Sequence, residues 1–253
     1  MILDLALKKS QQGVFNYYGY SMTQVDLKKY EQIADILYYP RATFKKKVIE
    51  VQEFLDKAYP NAGQELRLFS DFVDQSSQNE IEELYTRSFE VQAITAMDLG
   101  YMLFGDDYKR AKLLVSLNRE VIDAGIDTHN ELADHLPNVL KLLPKLDDET
   151  ILLDLILDVI YPSLEQILSD FNPEKIKMKT KIYKKHHKTI IEKSEKYALI
   201  YEKPLRALMK LLEADYNELI QVRKSVNGDY QEQTKDFLSS VANEMDIEDT
   251  PIK

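Results

Sequence analysis

Apolar residues recur every three or four positions along most of this chain, which is the spacing of one face of an α-helix. Such a pattern restricts the fold more than any other feature of the sequence, because a strand would need alternation with a period of two. The sequence therefore predicts an all-α fold, a single-domain bundle of about nine or more helices. Three of the stripes are Tyr30/Ile33/Ala34/Leu37, Phe44/Val48/Val51/Leu55/Ala58 and Ala111/Leu114/Val115/Asn118/Ile122.

Residues that form turns are scarce. The chain has 7 Gly and 8 Pro among 253 residues, about 6% and roughly half of their usual share. A sandwich or barrel of many strands needs more turns than this composition supplies. The few that occur fall at predicted helix ends: Pro40 and Pro60 stop two stripes, and Gly105 stands where a C-terminal cap is expected.

Charge divides the chain into segments. Residues 1–172 carry 17 basic and 29 acidic side chains, residues 173–210 carry 12 and 4, and residues 211–253 carry 4 and 10, which gives −12, +8 and −6. The predicted organisation is an N-terminal segment (1–22), an all-helical domain (23–224) that includes a Lys-rich segment (173–200), and an acidic C-terminal tail (225–253) that is prone to fray. Asn227-Gly228 predicts a turn before that tail.

Sequence features of common catalytic sites are lacking. There is no Cys, the four His include no pair at helical spacing for a metal, and no phosphate loop or nucleophile elbow is present. A binding protein with no metal or cofactor of its own is therefore favoured over an enzyme. Two alternatives stay open: a helical metal-dependent hydrolase that uses Asp134 and His135, and an adaptor that docks anionic surfaces through the Lys-rich segment. Nucleic-acid binding is not expected, because the run Lys175–Lys188 has no Arg and few aromatic rings.

The segment around Asp134 predicts the start of a helix. Asp is a good N-cap residue, and Pro137 would then occupy the third helical position, where its missing N–H costs nothing. Tyr85 and Phe89, four residues apart on an apolar stripe, are explained by core packing as well as by a binding role, and His135 by a core position.

Residues 81–146 resemble a known family, the NarJ/TorD/DmsD redox-enzyme maturation chaperones, and within it the nitrate reductase assembly (NarJ-like) branch. Ala133 departs from the family, which often has Pro near its Asp-His pair. The residues that carry the resemblance are Tyr85-x-x-x-Phe89, Leu103-Phe104-Gly105, Lys109-Arg110-Ala111, Leu114, Leu117, Arg119, Ala124-Gly125, Glu131-Leu132-Ala133-Asp134-His135-Leu136-Pro137 and Leu140.

The resemblance implies a system-specific cytoplasmic chaperone that is all-helical and not an enzyme. Such proteins bind the N-terminal or twin-arginine-type leader of a molybdopterin-dependent catalytic subunit and assist insertion of its molybdenum cofactor before export or membrane docking. An acidic body suits a basic leader. Carried over by position, the implied client-binding residues are Tyr85, Phe89, Glu131, Asp134, His135, Leu136 and Pro137.

The sequence predicts a cytoplasmic location without stable insertion into a membrane. The N-terminal run Met1–Leu7 is interrupted by Asp4 and precedes its lysines, unlike a secretory signal. The most apolar stretch, Ile151–Tyr161, is too short to cross a bilayer and contains two Asp.

Overall fold

The structure is a computed structural model that describes residues 25–91, 93–178 and 199–248, with side chains as far as residue 225. Over these ranges the regular elements are helices and no strand is formed, which confirms the predicted all-α class. The α-helices are α1 (Lys28–Asp35), α2 (Phe44–Ala58), α3 (Pro60–Gln75), α4 (Gln78–Phe89), α5 (Leu99–Phe104), α6 (Tyr108–Asp123), α7 (Leu136–Leu142), α8 (Glu149–Asp154), α9 (Tyr161–Asp170) and α10 (Glu202–Glu248).

Local sequence signals account for several helix ends, and the end at Gly105 is among those predicted. α3 begins at Pro60, where the absent N–H would have had no partner in any case. α4 begins after Ser77, which forms a capping box with Glu80. α5 ends at Gly105, whose φ of +58° lies in the left-handed region that favours glycine.

Helix packing around the core follows the chain order only in part. α2 packs on α3 as an antiparallel neighbour joined by a short connection, whereas α1 packs on α7, about a hundred residues away in sequence. α5 packs on both α6 and α9. The loops before α5 and α7 are thereby brought into one region, which is where the candidate site lies.

The Leu/Ile-rich stretch from Asp147 to Phe171 contains Pro162, which predicts two helices split at the proline, and this prediction is wrong in detail. α8 continues through a π-helical segment, Leu155–Ile160, directly into α9, and Pro162 is the second residue of α9. The missing N–H of the proline falls where the π-helical hydrogen-bond pattern gives way to the α-helical one. The wider π-helical turns accommodate the proline, at which the sequence predicted a break between two helices.

The apolar face of α6 is not the one that the sequence predicts. The core takes Leu113, Leu117 and Val121, while Val115 and Ile122 of the predicted stripe point outward. The helix has apolar residues on two faces, and periodicity alone does not say which of them the other helices cover.

The chain divides into two compact units, Met1–Ala214 and Asp215–Lys253. α10 is helical as far as Glu248, with non-helical angles at Tyr216 (φ −130°), so the turn predicted at Asn227-Gly228 is wrong. Most of the Lys-rich segment, residues 179–198, lies outside the described residues, as does the N-terminal segment 1–22. Among the helices that the structure describes, none combines the length and apolarity that a bilayer crossing requires.

Candidate functional site

The loop before α7 is held against the start of α5 by two backbone hydrogen bonds. Leu99 N–H donates to the carbonyl of Asp134 and Leu136 N–H donates to the carbonyl of Met97, both at 2.8 Å. Asp98 and His135 thus face each other in an isolated antiparallel bridge. This pairing fixes the segment that the resemblance singles out relative to the rest of the fold.

Arg110, on α6, joins the two carboxylates of this region. Its Nε lies 3.2 Å from Asp134 Oδ2, and its Nη2 lies 3.3 Å from Asp98 Oδ2. The Asp134 side chain is fully buried, so it depends on this guanidinium for compensation of its charge. Burial raises the pKa of Asp134, and the Asp98 charge raises it further, while Arg110 and the Gly100 N–H act in the opposite direction.

His135 contributes to the same cluster. Its Nδ1 lies 3.5 Å from Asp98 Oδ1, which is longer than a well-formed hydrogen bond. The His135 ring and then Arg110 lower the pKa of Asp98. Asp98 is the member of the cluster that keeps solvent access, whereas Asp134 and His135 are buried.

The predicted N-cap role of Asp134 is wrong. His135 occupies the N-cap position without a side-chain hydrogen bond, Leu136 is the first residue of α7, and Pro137 follows it. The Asp134 carboxylate turns instead toward Arg110 and toward the first turn of α5, which lies far away in sequence. The ion pair with Arg110 therefore takes the place of the predicted N-cap hydrogen bond.

Gly100 lets that carboxylate approach α5. A Cβ at this position would lie 2.8 Å from Asp134 Oδ2 and 3.1 Å from Arg110 Cγ. We expect Gly100→Ala to lower the free energy of unfolding by about 1–2 kcal/mol, because overpacking outweighs the gain in helix propensity. Equilibrium denaturation measures the change, and an alanine variant as stable as the wild type would contradict the close approach.

The loop that carries Glu131 is fixed by a buried polar chain. The Tyr38 hydroxyl donates to Asn138 Oδ1, and Asn138 Nδ2 donates to the Leu132 carbonyl at 2.8 Å. The Tyr38 ring also packs edge-on against His129, at 4.8 Å between centroids. Glu131 itself is exposed at the surface of this anchored loop.

Tyr85 and Phe89 belong to an aromatic cluster, as their spacing predicts. Their rings lie 5.2 Å apart, and both pack on Tyr201, at 5.6 and 5.1 Å. Tyr39 extends the cluster outward, 5.3 Å from Tyr85. Tyr85 and Tyr201 are buried, Phe89 is half-buried and Tyr39 is exposed, so the cluster connects the core with the surface.

Acidic side chains surround the outer part of the cluster. Burial raises the pKa of the Tyr85 hydroxyl, and Glu131, Glu90 and Asp98 raise it further. At Tyr39, Glu82 and Glu90 act in the same direction. We call this region the acidic aromatic face; it consists of the buried Tyr85 and the exposed or half-buried Tyr39, Phe89, Glu82, Glu90 and Glu131.

The structure brings the seven predicted site residues into one region but not onto one surface. Phe89 and Glu131 reach the surface, whereas the other five, Tyr85, Asp134, His135, Leu136 and Pro137, are buried. Sequence reasoning missed Asp98, Tyr39 and Glu90 as participants, and gave Arg110 no role although it stands in the Lys109-Arg110-Ala111 motif. Only tertiary contacts show them, such as the Asp98–His135 bridge and the packing of Tyr39 on Tyr85.

The described residues contain no group of three or more His, Asp or Glu arranged to hold a metal ion. At the Asp98–Asp134 pair, the positive charge comes from Arg110. In comparisons with known proteins, no protein-family model and no curated protein matches this chain.

Proposed function

We propose that the protein is a chaperone that binds the basic, apolar N-terminal leader of a molybdopterin-dependent catalytic subunit and assists cofactor insertion into it. The observation that carries the proposal is the acidic aromatic face. Three carboxylates, Glu82, Glu90 and Glu131, act electrostatically on the hydroxyl of Tyr39 or Tyr85, and Tyr39 and Phe89 are partly open to solvent. The charge suits a leader with arginines, and the rings suit the apolar stretch that follows them.

Exposed apolar side chains lie next in sequence to two of these acids. Val91 and Leu132 follow Glu90 and Glu131 directly in sequence, and both are among the exposed large apolar residues. Glu90 and Glu131 both raise the pKa of the Tyr85 hydroxyl. Apolar side chains with an acidic rim suit an amphipathic segment that binds by its apolar face.

In the proposal, the buried residues of the site act indirectly, by holding exposed residues of the acidic aromatic face in position. Asp134 and His135 hold the Glu131 loop to α5 through the backbone bridge and the Arg110 ion pair. In the proposal, the residues that contact the leader are Glu90, Glu131, Tyr39 and Phe89. Substitution of Asp134 would therefore weaken binding by displacing the loop rather than by removing a contact.

The test uses two synthetic peptides: an apolar helical leader preceded by two arginines, and the same peptide with glutamines in their place. We expect the arginine peptide to bind more tightly, and the double variant Glu90→Gln/Glu131→Gln to bind it at least tenfold more weakly with a smaller dependence on salt. Fluorescence anisotropy at two salt concentrations measures both effects.

Glu53→Gln is the matched control, because Glu53 is an exposed acid on α2 that does not act on these tyrosines. Its affinity should stay within twofold of the wild type. Equal binding of the arginine peptide by the wild type and the double variant would refute the assigned face.

The client class is tested separately. Catalytic subunits are isolated from cells with and without this protein, and their molybdenum content should be lower in the cells that lack it.

A further inference from the structure

Helix α6 has a second apolar face that no other described element covers. Tyr108, Val115 and Ile122 are spaced seven residues apart and are 63%, 65% and 74% exposed. The buried side of the same helix is formed by Leu113, Leu117 and Val121, so the outward residues are not needed for the core. Apolar side chains concentrated on one exposed face indicate an interaction surface rather than scattered surface residues.

The spacing of this face is that of a helix-packing seam. With Ala111 and Asn118 between them, the outward residues alternate at intervals of three and four over Tyr108–Ile122, a stripe about 21 Å long. Ala111 leaves room for a partner side chain near one end, and Asn118 supplies one polar position of the kind that fixes register. We call it the α6 stripe; its members are Tyr108, Ala111, Val115, Asn118 and Ile122.

Basic residues lie along one edge of the α6 stripe. At 100° per residue, Lys112 and Arg119 fall on the same side of the Val115 direction, and Asp123 lies on that side only at the end of the helix. Lys112 Nζ lies 4.6 Å from the centre of the Tyr108 ring, so its charge borders the apolar surface directly. The partner's facing edge should accordingly be acidic.

A second copy of this chain fits the α6 stripe poorly. Two α6 helices packed antiparallel about Val115 would bring Lys112 of each protomer opposite Arg119 of the other, and like charges oppose this pairing. An anionic membrane fits poorly as well, because residues 1–172 carry a net charge of −12 and Asn118 lies within the apolar stripe.

We propose that the α6 stripe binds an amphipathic α-helix of another protein, with apolar residues at three- and four-residue spacing and acidic residues along one edge. The α6 stripe differs in charge from the acidic aromatic face: its basic edge attracts acidic segments, whereas the acidic aromatic face attracts basic ones. On the inner side of the same helix, Arg110 holds Asp98 and Asp134. The inference does not depend on the proposed function, because it uses only the outward residues of α6.

The test uses two designed 21-residue helical peptides with the same apolar stripe, one with Glu and one with Lys along the edge. With the full chain, we expect the Glu peptide to bind with a micromolar dissociation constant and the Lys peptide at least tenfold more weakly. Val115→Ser/Ile122→Ser should reduce binding of the Glu peptide at least tenfold, and Lys112→Gln/Arg119→Gln should remove the preference between the peptides.

Leu68→Ser is the matched control, since Leu68 is an exposed apolar residue on α3, and it should bind the Glu peptide like the wild type. Circular dichroism verifies that each variant keeps its helical content. Absence of binding to the Glu peptide, or equal binding of the two peptides, would overturn the proposal. So would stripe-dependent dimers in sedimentation equilibrium, or stripe-dependent binding to phosphatidylcholine–phosphatidylserine vesicles.

Discussion

Arg110→Met is expected to lower the free energy of unfolding by about 3–5 kcal/mol, because it leaves the Asp134 carboxylate buried without its counter-charge. Methionine keeps most of the apolar stem of arginine, so the loss reflects the charge more than the packing. Asp98, which is partly exposed, can be solvated after the change and contributes less. Chemical denaturation at neutral pH measures the difference.

The size of that loss should depend on pH. Burial already raises the pKa of Asp134 in the folded state, and removal of Arg110 raises it further. A carboxyl group with a raised folded pKa destabilises the fold as pH rises above its unfolded pKa, because the unfolded chain ionises first. The gap between wild type and variant should therefore be smaller near pH 4 than near pH 7.

Two further variants separate charge from packing. Arg119→Met removes an exposed arginine from the same helix and should change the stability by less than about 0.5 kcal/mol. Arg110→Met/Asp134→Leu removes both members of the buried pair and should recover much of the loss, since no isolated charge stays behind. A double variant as unstable as Arg110→Met would show that the carboxylate is not the cause.

Sequence patterns predicted the features that depend on neighbours along the chain. The stripes at α1 and α2, the end of the second stripe at Pro60 and the end of α5 at Gly105 all follow from residues within one or two helical turns. The i, i+4 pairing of Tyr85 and Phe89 is of the same kind. These features need no knowledge of the tertiary fold.

Predictions of features that depend on residues distant in sequence were wrong, or the features were missed. Asp134 has the local chemistry of an N-cap, but Arg110, 24 residues earlier, offers a full charge, and the carboxylate turns to it. Asp98 gave no signal at all, because its role arises from the bridge to His135. On α6 the predicted stripe is wrong as the buried face, because the core covers a different face, with Leu117.

Tyr201 provides the second large expected effect, because it lies fully buried beneath the acidic aromatic face. Its ring packs on Phe69 at 5.0 Å as well as on Tyr85 and Phe89. We expect Tyr201→Ala to lower the free energy of unfolding by about 3–5 kcal/mol, since deletion of a buried ring leaves a cavity that the neighbours fill only in part. Denaturant titration of the full chain measures the loss.

Tyr201→Phe is the control that isolates the hydroxyl group. Among the described residues this buried oxygen has no hydrogen-bond partner, and burial raises the pKa of the group well above its ordinary value. Its removal should leave the stability unchanged or raise it by about 1 kcal/mol. A loss above about 1 kcal/mol would instead reveal a partner for the hydroxyl. Because Tyr201 supports Tyr85 and Phe89 from below, the alanine variant should also bind the arginine leader peptide more weakly, whereas the phenylalanine variant should bind it like the wild type.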